Sequence, residues 1–96
     1  MTQKIYVGQT ALTMKLDTKI SLSTAATAVM KYEKPDGTEG QWVCATDVDG
    51  YISYNIVNAT DLDQAGVWKR WAEITFTSGK WAPGDPVTFI VYNVGS

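Results

Sequence analysis

Histidine is absent from this chain of 96 residues, and Cys44 is its one cysteine. Without histidine there is no Ser-His-Asp triad, no imidazole ligand for a metal, and none of the commonest general base. A single thiol excludes an internal disulfide and a cysteine-built zinc site. A cysteine nucleophile would also lack its activating base, so Cys44 reads as a small apolar residue of the core. No apolar run approaches the roughly 20 residues of a membrane-crossing helix. Charge is sparse too: charged residues are 19% of the chain, eight basic against ten acidic, for a net charge of −2. The basic residues are scattered, with Lys69-Arg70 the one adjacent pair. That leaves no electrostatic footprint for nucleic acid or for an anionic membrane.

What is present is apolar and aromatic. Hydrophobic residues make up 45% of the chain, and four Trp, five Tyr and two Phe supply large side chains for a core. This is globular composition, of a length that makes one domain spanning 1–96. The opening "MTQKIYVGQT" lacks the basic-then-apolar layout of a secretion signal, so the expectation is a protein made in a cytoplasm. With no disulfide, stability must come from packing and backbone pairing.

Little of the sequence reads as helix. Thr, Val, Ile and aromatic residues fall in short alternating runs punctuated by Gly, Pro and Asp. "KIYV" is a short first strand ended by Gly8. In "ALTMKLD", Leu12, Met14 and Leu16 face one side, with Thr13 and Lys15 on the other, which is a half-buried strand. In "ISLSTAATAVMKYE" the alanines also suit a helical turn; the strand is read over Thr27–Glu33, with Ile20 and Leu22 as core plugs from the preceding loop. "KPDGTEG" is the strongest turn signal, because Pro35, Asp36 and Gly37 each favour a tight reversal. It closes a hairpin onto "GQWVCATD", where Trp42 and Cys44 share a face. "YISYNIV" places Ile52, Tyr54 and Ile56 on one side. "VWKRWAEITF" aligns Trp68, Ala72, Ile74 and Phe76 against Lys69, Trp71, Glu73 and Thr75. After a second turn at "TSGK", "DPVTFIVYNV" is the closing strand, with Val87, Phe89 and Val91 inward. About seven antiparallel strands at this rhythm predict an all-β, immunoglobulin-like sandwich.

One stretch looks distinctive. Asp63-Gln64-Ala65-Gly66-Val67-Trp68 resembles the corner that precedes strand F of immunoglobulin-like domains. There the aromatic is a Tyr whose hydroxyl bonds back to the backbone. Here Trp68 would have to use its indole N–H, and Arg70 stands where a disulfide-bearing member has its second Cys. Trp42, read as lying on strand C, matches the central buried Trp of that fold. Trp42, Trp68, Gly66 and Cys44 are therefore the expected structural core.

The ordered set "KIYVG", "KPDGTEGQW", "GYISY", "DLDQAGVWKRWAEITFTSGK" and "PGDPVTFIVY" resembles small β-sandwich proteins among the structural genes of tailed bacteriophages. Its layout is similar to that of the N-terminal domain of the phage baseplate upper protein. The resemblance implies a non-enzymatic virion structural protein that assembles in many copies with other virion proteins. A tail, baseplate or fibre-attachment module and a capsid decoration protein both fit. A carbohydrate-binding module that contacts a host-surface glycan is the alternative.

The remaining candidate chemistry reads as structure. "DVDG" (47–50) begins like a calcium loop, but position 58 holds Asn where the loop needs Glu, so a hairpin turn is expected. Asn58-Ala59-Thr60 fits a glycosylation acceptor, but without a secretion signal it reads as a polar loop. The acidic residues lie mostly in turns (Asp36, Asp49, Asp61, Asp63, Asp85), where solvated turn chemistry places them. No catalytic, cofactor-binding or metal-binding residue is expected. Trp71 and Trp81, with Lys69 nearby, are the candidate interface anchors, joined by Ile5 and Tyr6 of the apolar first strand. The reading against this is that both tryptophans cap the sandwich or pack on loops. Arg70, pointed inward by the alternation, is expected near the rim with its head in water, or paired with Asp17 or Asp61.

Overall fold

The alternating runs stack into two sheets with their apolar faces turned towards each other. The computed structural model describes residues 4–47 and 49–95. The first three residues, on which the reading of the N-terminus partly rests, and Val48 of the "DVDG" turn lie outside the described residues. Nine strands and no helix occur among the described residues: β1 (Ile5–Tyr6), β2 (Leu12–Asp17), β3 (Ala25–Glu33), β4 (Glu39–Val43), β5 (Ala45–Thr46), β6 (Tyr51–Ile56), β7 (Gly66–Phe76), β8 (Trp81–Pro83) and β9 (Val87–Tyr92). The large sheet runs β1-β9-β7-β3-β4 with β8 beside β7, and the small sheet runs β2-β6-β5. The small sheet corresponds to B-E-D of the immunoglobulin plan, and the large sheet to G-F-C extended by C′. The protein is thus an all-β, immunoglobulin-like sandwich without a disulfide, Cys44 being free.

Burial follows the period-two pattern. Met14 and Leu16 on β2 and Ile52 and Ile56 on β6 face Ala28 and Met30 on β3, Trp42 on β4, Trp68, Ala72 and Ile74 on β7, and Val91 on β9. Leu62 from the corner loop and Leu22 from the loop before β3 complete this cluster. Five rings link the layers: Tyr54 stacks on Trp42 at 5.4 Å, Trp42 meets Tyr32 at 4.6 Å, and Tyr32 meets Trp68 at 5.5 Å. Phe89 ends the chain of rings, 5.7 Å from Trp68. Such offset and tilted contacts add to the area that the rings bury.

Several local expectations are corrected. The alanine-rich start of β3 is extended, not helical, and carries a register shift between Ala25 and Thr27. Trp42 is buried but lies on β4, which among the described residues pairs only with β3, so its strand is C′ and Met30 on β3 takes the central place. Ile20 is exposed while Leu22 fills the core. Val87 is also exposed, although it stands opposite inward-facing Arg70. The closing strand comes in two pieces, β8 against Glu73–Thr75 and β9 against 66–70, along one edge of β7. The break falls at Pro83-Gly84-Asp85-Pro86, where the two prolines have no N–H to give a ladder. The Gly84 N–H donates to the Ala72 carbonyl at 2.7 Å and keeps the break against β7. The first strand, β1, pairs parallel with β9 rather than antiparallel.

Candidate functional site

The corner that precedes β7 is a structural device. Gly66 adopts φ +131°, and a Cβ there would lie 2.8 Å from Pro35 Cγ. Trp68 Nε1 donates to the Gln64 carbonyl at 2.9 Å, so an indole makes the backbone bond that a tyrosine hydroxyl makes in the immunoglobulin corner. The turn at 34–38 straps the corner from outside. Lys34 Nζ reaches both carboxylate oxygens of Asp63, at 2.9 and 3.0 Å, and Gln64 Nε2 donates to Asp36 Oδ2 at 2.8 Å. The hydrogen bond to Asp63 is the main cause that raises the Lys34 pKa above the ordinary lysine value. The Asp36 carboxyl is held below its ordinary value, chiefly by the Thr38 backbone N–H.

The other candidate groups have structural partners or structural surroundings. Asp47 Oδ1 accepts from the backbone N–H groups of Asp49 and Tyr51, at 2.9 and 3.1 Å, which is turn chemistry. Cys44 is half-buried against the core, and burial pushes its thiol up to about 11. That value leaves little thiolate near neutral pH. Arg70 makes neither of the expected ion pairs with Asp17 or Asp61. Its guanidinium lies over the Phe89 ring at 5.3 Å, its Nε is buried without a partner, and burial lowers its pKa. Among the described residues no group of three or more acidic or cysteine side chains could hold a metal ion.

The two outward faces differ. On the small sheet, the outward residues of β2 and β6 are Thr13, Lys15, Asp17, Tyr51, Ser53 and Asn55, all polar or amphipathic, and Ala45 of β5 shares their face. Thr13 Oγ1 donates to Asn55 Oδ1 at 2.8 Å, and Lys15 lies over the Tyr51 ring. On the large sheet, Val67 (57% exposed) stands opposite Ile90 (47%), and Trp81 (58%) and Val43 (73%) lie further along the same face. Tyr92 follows Ile90 on that face and packs on Tyr6 of β1, with ring centres 6.5 Å apart and Lys4 over the Tyr92 ring.

Four of the five interface candidates from the sequence share this face. Trp71 is half-buried and donates from Nε1 to Glu73 Oε2 at 2.9 Å. Trp81 is open, Lys69 pairs with Glu33 at 3.6 Å, and Tyr6 flanks Tyr92. Ile5 instead turns towards the core. Sequence reading missed Val67 and Ile90. Each was visible as an apolar residue out of phase in its strand, but only the β7–β9 register shows that they meet.

An immunoglobulin-like sandwich with exposed apolar residues among charged ones on one outward face is the class that this geometry defines. No family model matches the chain, and no curated protein matches it. Among solved structures it is similar to the crystal structure of CopC from Methylosinus trichosporium OB3b. The identity is 11% and the TM-score 0.62, over 99% of this chain and 89% of that one. A likeness at this identity is one of fold. The expectation of a bacteriophage structural protein, or of its carbohydrate-binding alternative, and of a virion location is corrected by this finding: the structural likeness found is to CopC, not to a phage structural protein.

Proposed function

We propose that the protein is a non-enzymatic binding module that holds another folded protein against the outward face of its large sheet. The observation that carries this is the difference between the two outward faces. The small sheet turns hydroxyls, an amide and charges to solvent, while the large sheet turns out Val43, Val67, Trp81 and Ile90. Val67 and Ile90 stand side by side, and exposed aliphatic pairs and open tryptophans on one face of a folded monomer mark interaction surfaces. Lys69, Glu33 and Glu73 supply polar groups of both signs among them, as a protein interface requires at its rim. The absence of histidine, the raised Cys44 thiol and the structural engagement of Asp47 and Asp63 support a role without catalysis.

The test compares the two faces in extracts of the source cell. Val67→Asp, Ile90→Asp and Trp81→Ala should leave the thermal midpoint nearly unchanged but lose a partner that the wild type retains and that mass spectrometry identifies. Ser53→Asp on the small sheet should retain it. Equal retention by all variants would overturn the proposal.

A further inference from the structure

The edge strands among the described residues are β1, β8, β4, β2 and β5, and they are not equally protected. At the β1 edge, Gln9 takes both outward groups of Tyr6: its Oε1 accepts the Tyr6 N–H at 2.9 Å, and its own N–H donates to the Tyr6 carbonyl at 3.0 Å. β5 is only two residues long. β4 and β2 are longer and open.

The register of β2 fixes which of its groups are free. Thr18 N–H donates to the Gly50 carbonyl at 2.9 Å, and pairing continues without a shift through Leu16↔Ile52, Met14↔Tyr54 and Leu12↔Ile56. Hydrogen-bonded pairs alternate along an antiparallel ladder, so the even-numbered residues bond to β6. The backbone groups of Thr13, Lys15 and Asp17 therefore point away from the sheet, and among the described residues no strand pairs with them. Beside this edge runs a groove of ≈ 340 Å³ of mixed lining, with Leu16, Ala72, Pro83 and Val87 beside the charged Asp17, Lys19 and Asp85. Leu16 and Ala72 at its floor belong to the buried core. An open strand edge is a template for strand addition.

We infer that the β2 edge pairs antiparallel with the β2 edge of a second copy of this chain, about a two-fold axis at Leu16. The charges select this occupant. Centred on Leu16, the pairing sets Lys15 opposite Asp17 of the second copy, and Asp17 opposite its Lys15, so the same ion pair forms twice. Opposite charges directly across a ladder stabilise it, and a self-complementary patch is what a two-fold interface needs. Both residues are positioned for this. Lys15 is exposed, with its ammonium 5.1 Å from the Tyr51 ring centre, and Asp17 uses Oδ1 to hold the Lys19 N–H, leaving Oδ2. These are the residues whose backbone groups face the edge, so the new hydrogen-bonded pairs and the new ion pairs coincide. Leu16 of each copy meets at the axis on the inward side, over the groove. The β4 edge offers no such match, because its outward groups belong to Glu39, Gln41 and Val43 and self-pairing brings no opposite charges together.

Charge exchange at the two positions tests this by sedimentation equilibrium at low salt. The wild type should dimerise reversibly. Lys15→Glu and Asp17→Lys should each weaken the dimer tenfold or more, since every facing pair becomes like-charged. An equimolar mixture of the two single variants should form a heterodimer as tight as the wild type, because like charges in each homodimer become opposite charges between the two. The double variant Lys15→Glu/Asp17→Lys should dimerise again. Recovery in the mixture also shows that both single variants are folded. Val67→Asp, on the face assigned to a partner protein, should leave the dimer unchanged. A wild type that stays monomeric up to about 1 mM, where even a weak interface would show, overturns the inference. So does a dimer that neither single variant weakens, or a mixture that fails to recover it.

Discussion

Gly66 shows how much a single position can fix. At φ +131° a side chain is strained wherever it points, and here it would also press on Pro35 at 2.8 Å. Gly66→Val should therefore lower stability by about 2–4 kcal/mol, combining backbone strain with overpacking. A urea midpoint equal to that of the wild type would sink this account of the corner. Cys44 makes a different demand, through its proton. Burial raises the thiol from an ordinary 9.0 to about 11, so the folded chain keeps a proton that the unfolded chain gives up. The stability linked to this group is fully present below pH ~9 and is lost as pH rises towards ~11. Alkaline titration of unfolding should show this loss in the wild type, and a smaller one in Cys44→Ala. Alkylation of the native protein at neutral pH should run far slower than that of the urea-unfolded chain.

At the scale of elements, the strap between the 34–38 turn and the corner loop joins segments that are about thirty residues apart in the chain, as the separation of 29 between Lys34 and Asp63 shows. A double-mutant cycle on Lys34→Ala and Asp63→Ala should give a coupling of about 0.5–1 kcal/mol, as for a partly exposed pair with two-oxygen geometry. A coupling indistinguishable from zero would make the strap ornamental. Elements of this kind also mark the limit of what the sequence reveals. The strands at 12–17, 51–56 and 66–76 were legible because one face is wet and the other dry, which prints alternation into the chain. The indole bond of Trp68 was legible because the corner is local. Which strand neighbours which is not local, and Trp42 went to the wrong strand for that reason. Val87 was read as inward from a correct alternation, yet the groove beside it leaves it exposed. Arg70 reads as a rim residue with its head in water or as an ion-pair former, but its place over Phe89 depends on β9 arriving beside β7. Of the surface face, the chain showed Trp71 and Trp81 by type alone, and hid the Val67–Ile90 pair until the register was known.

For the whole molecule, the unequal treatment of its surfaces is the most informative property. One outward face is mainly polar, the other sets exposed Val43, Val67, Trp81 and Ile90 among charged residues, one edge is closed by Gln9, and another carries complementary charges. A sandwich built this way can hold a partner on a face and a copy of itself on an edge without competition between them. The pairing of β1 with β9 has a further consequence, in mechanics. These strands run parallel, Ile5 beside Val91 and Tyr6 beside Tyr92. Tension applied to the chain ahead of Ile5 and behind Tyr92 pulls the two strands in opposite directions along their own axes. Their hydrogen bonds, with that of Val7 N–H to the Tyr92 carbonyl at 2.9 Å, are then loaded together in shear, not opened one by one like a zip. Every other strand lies between these two points and bears no load until they part. In single-molecule stretching the domain should yield in one step, at a higher force when pulled through its ends than when pulled through residues 37 and 79 at two hairpin tips.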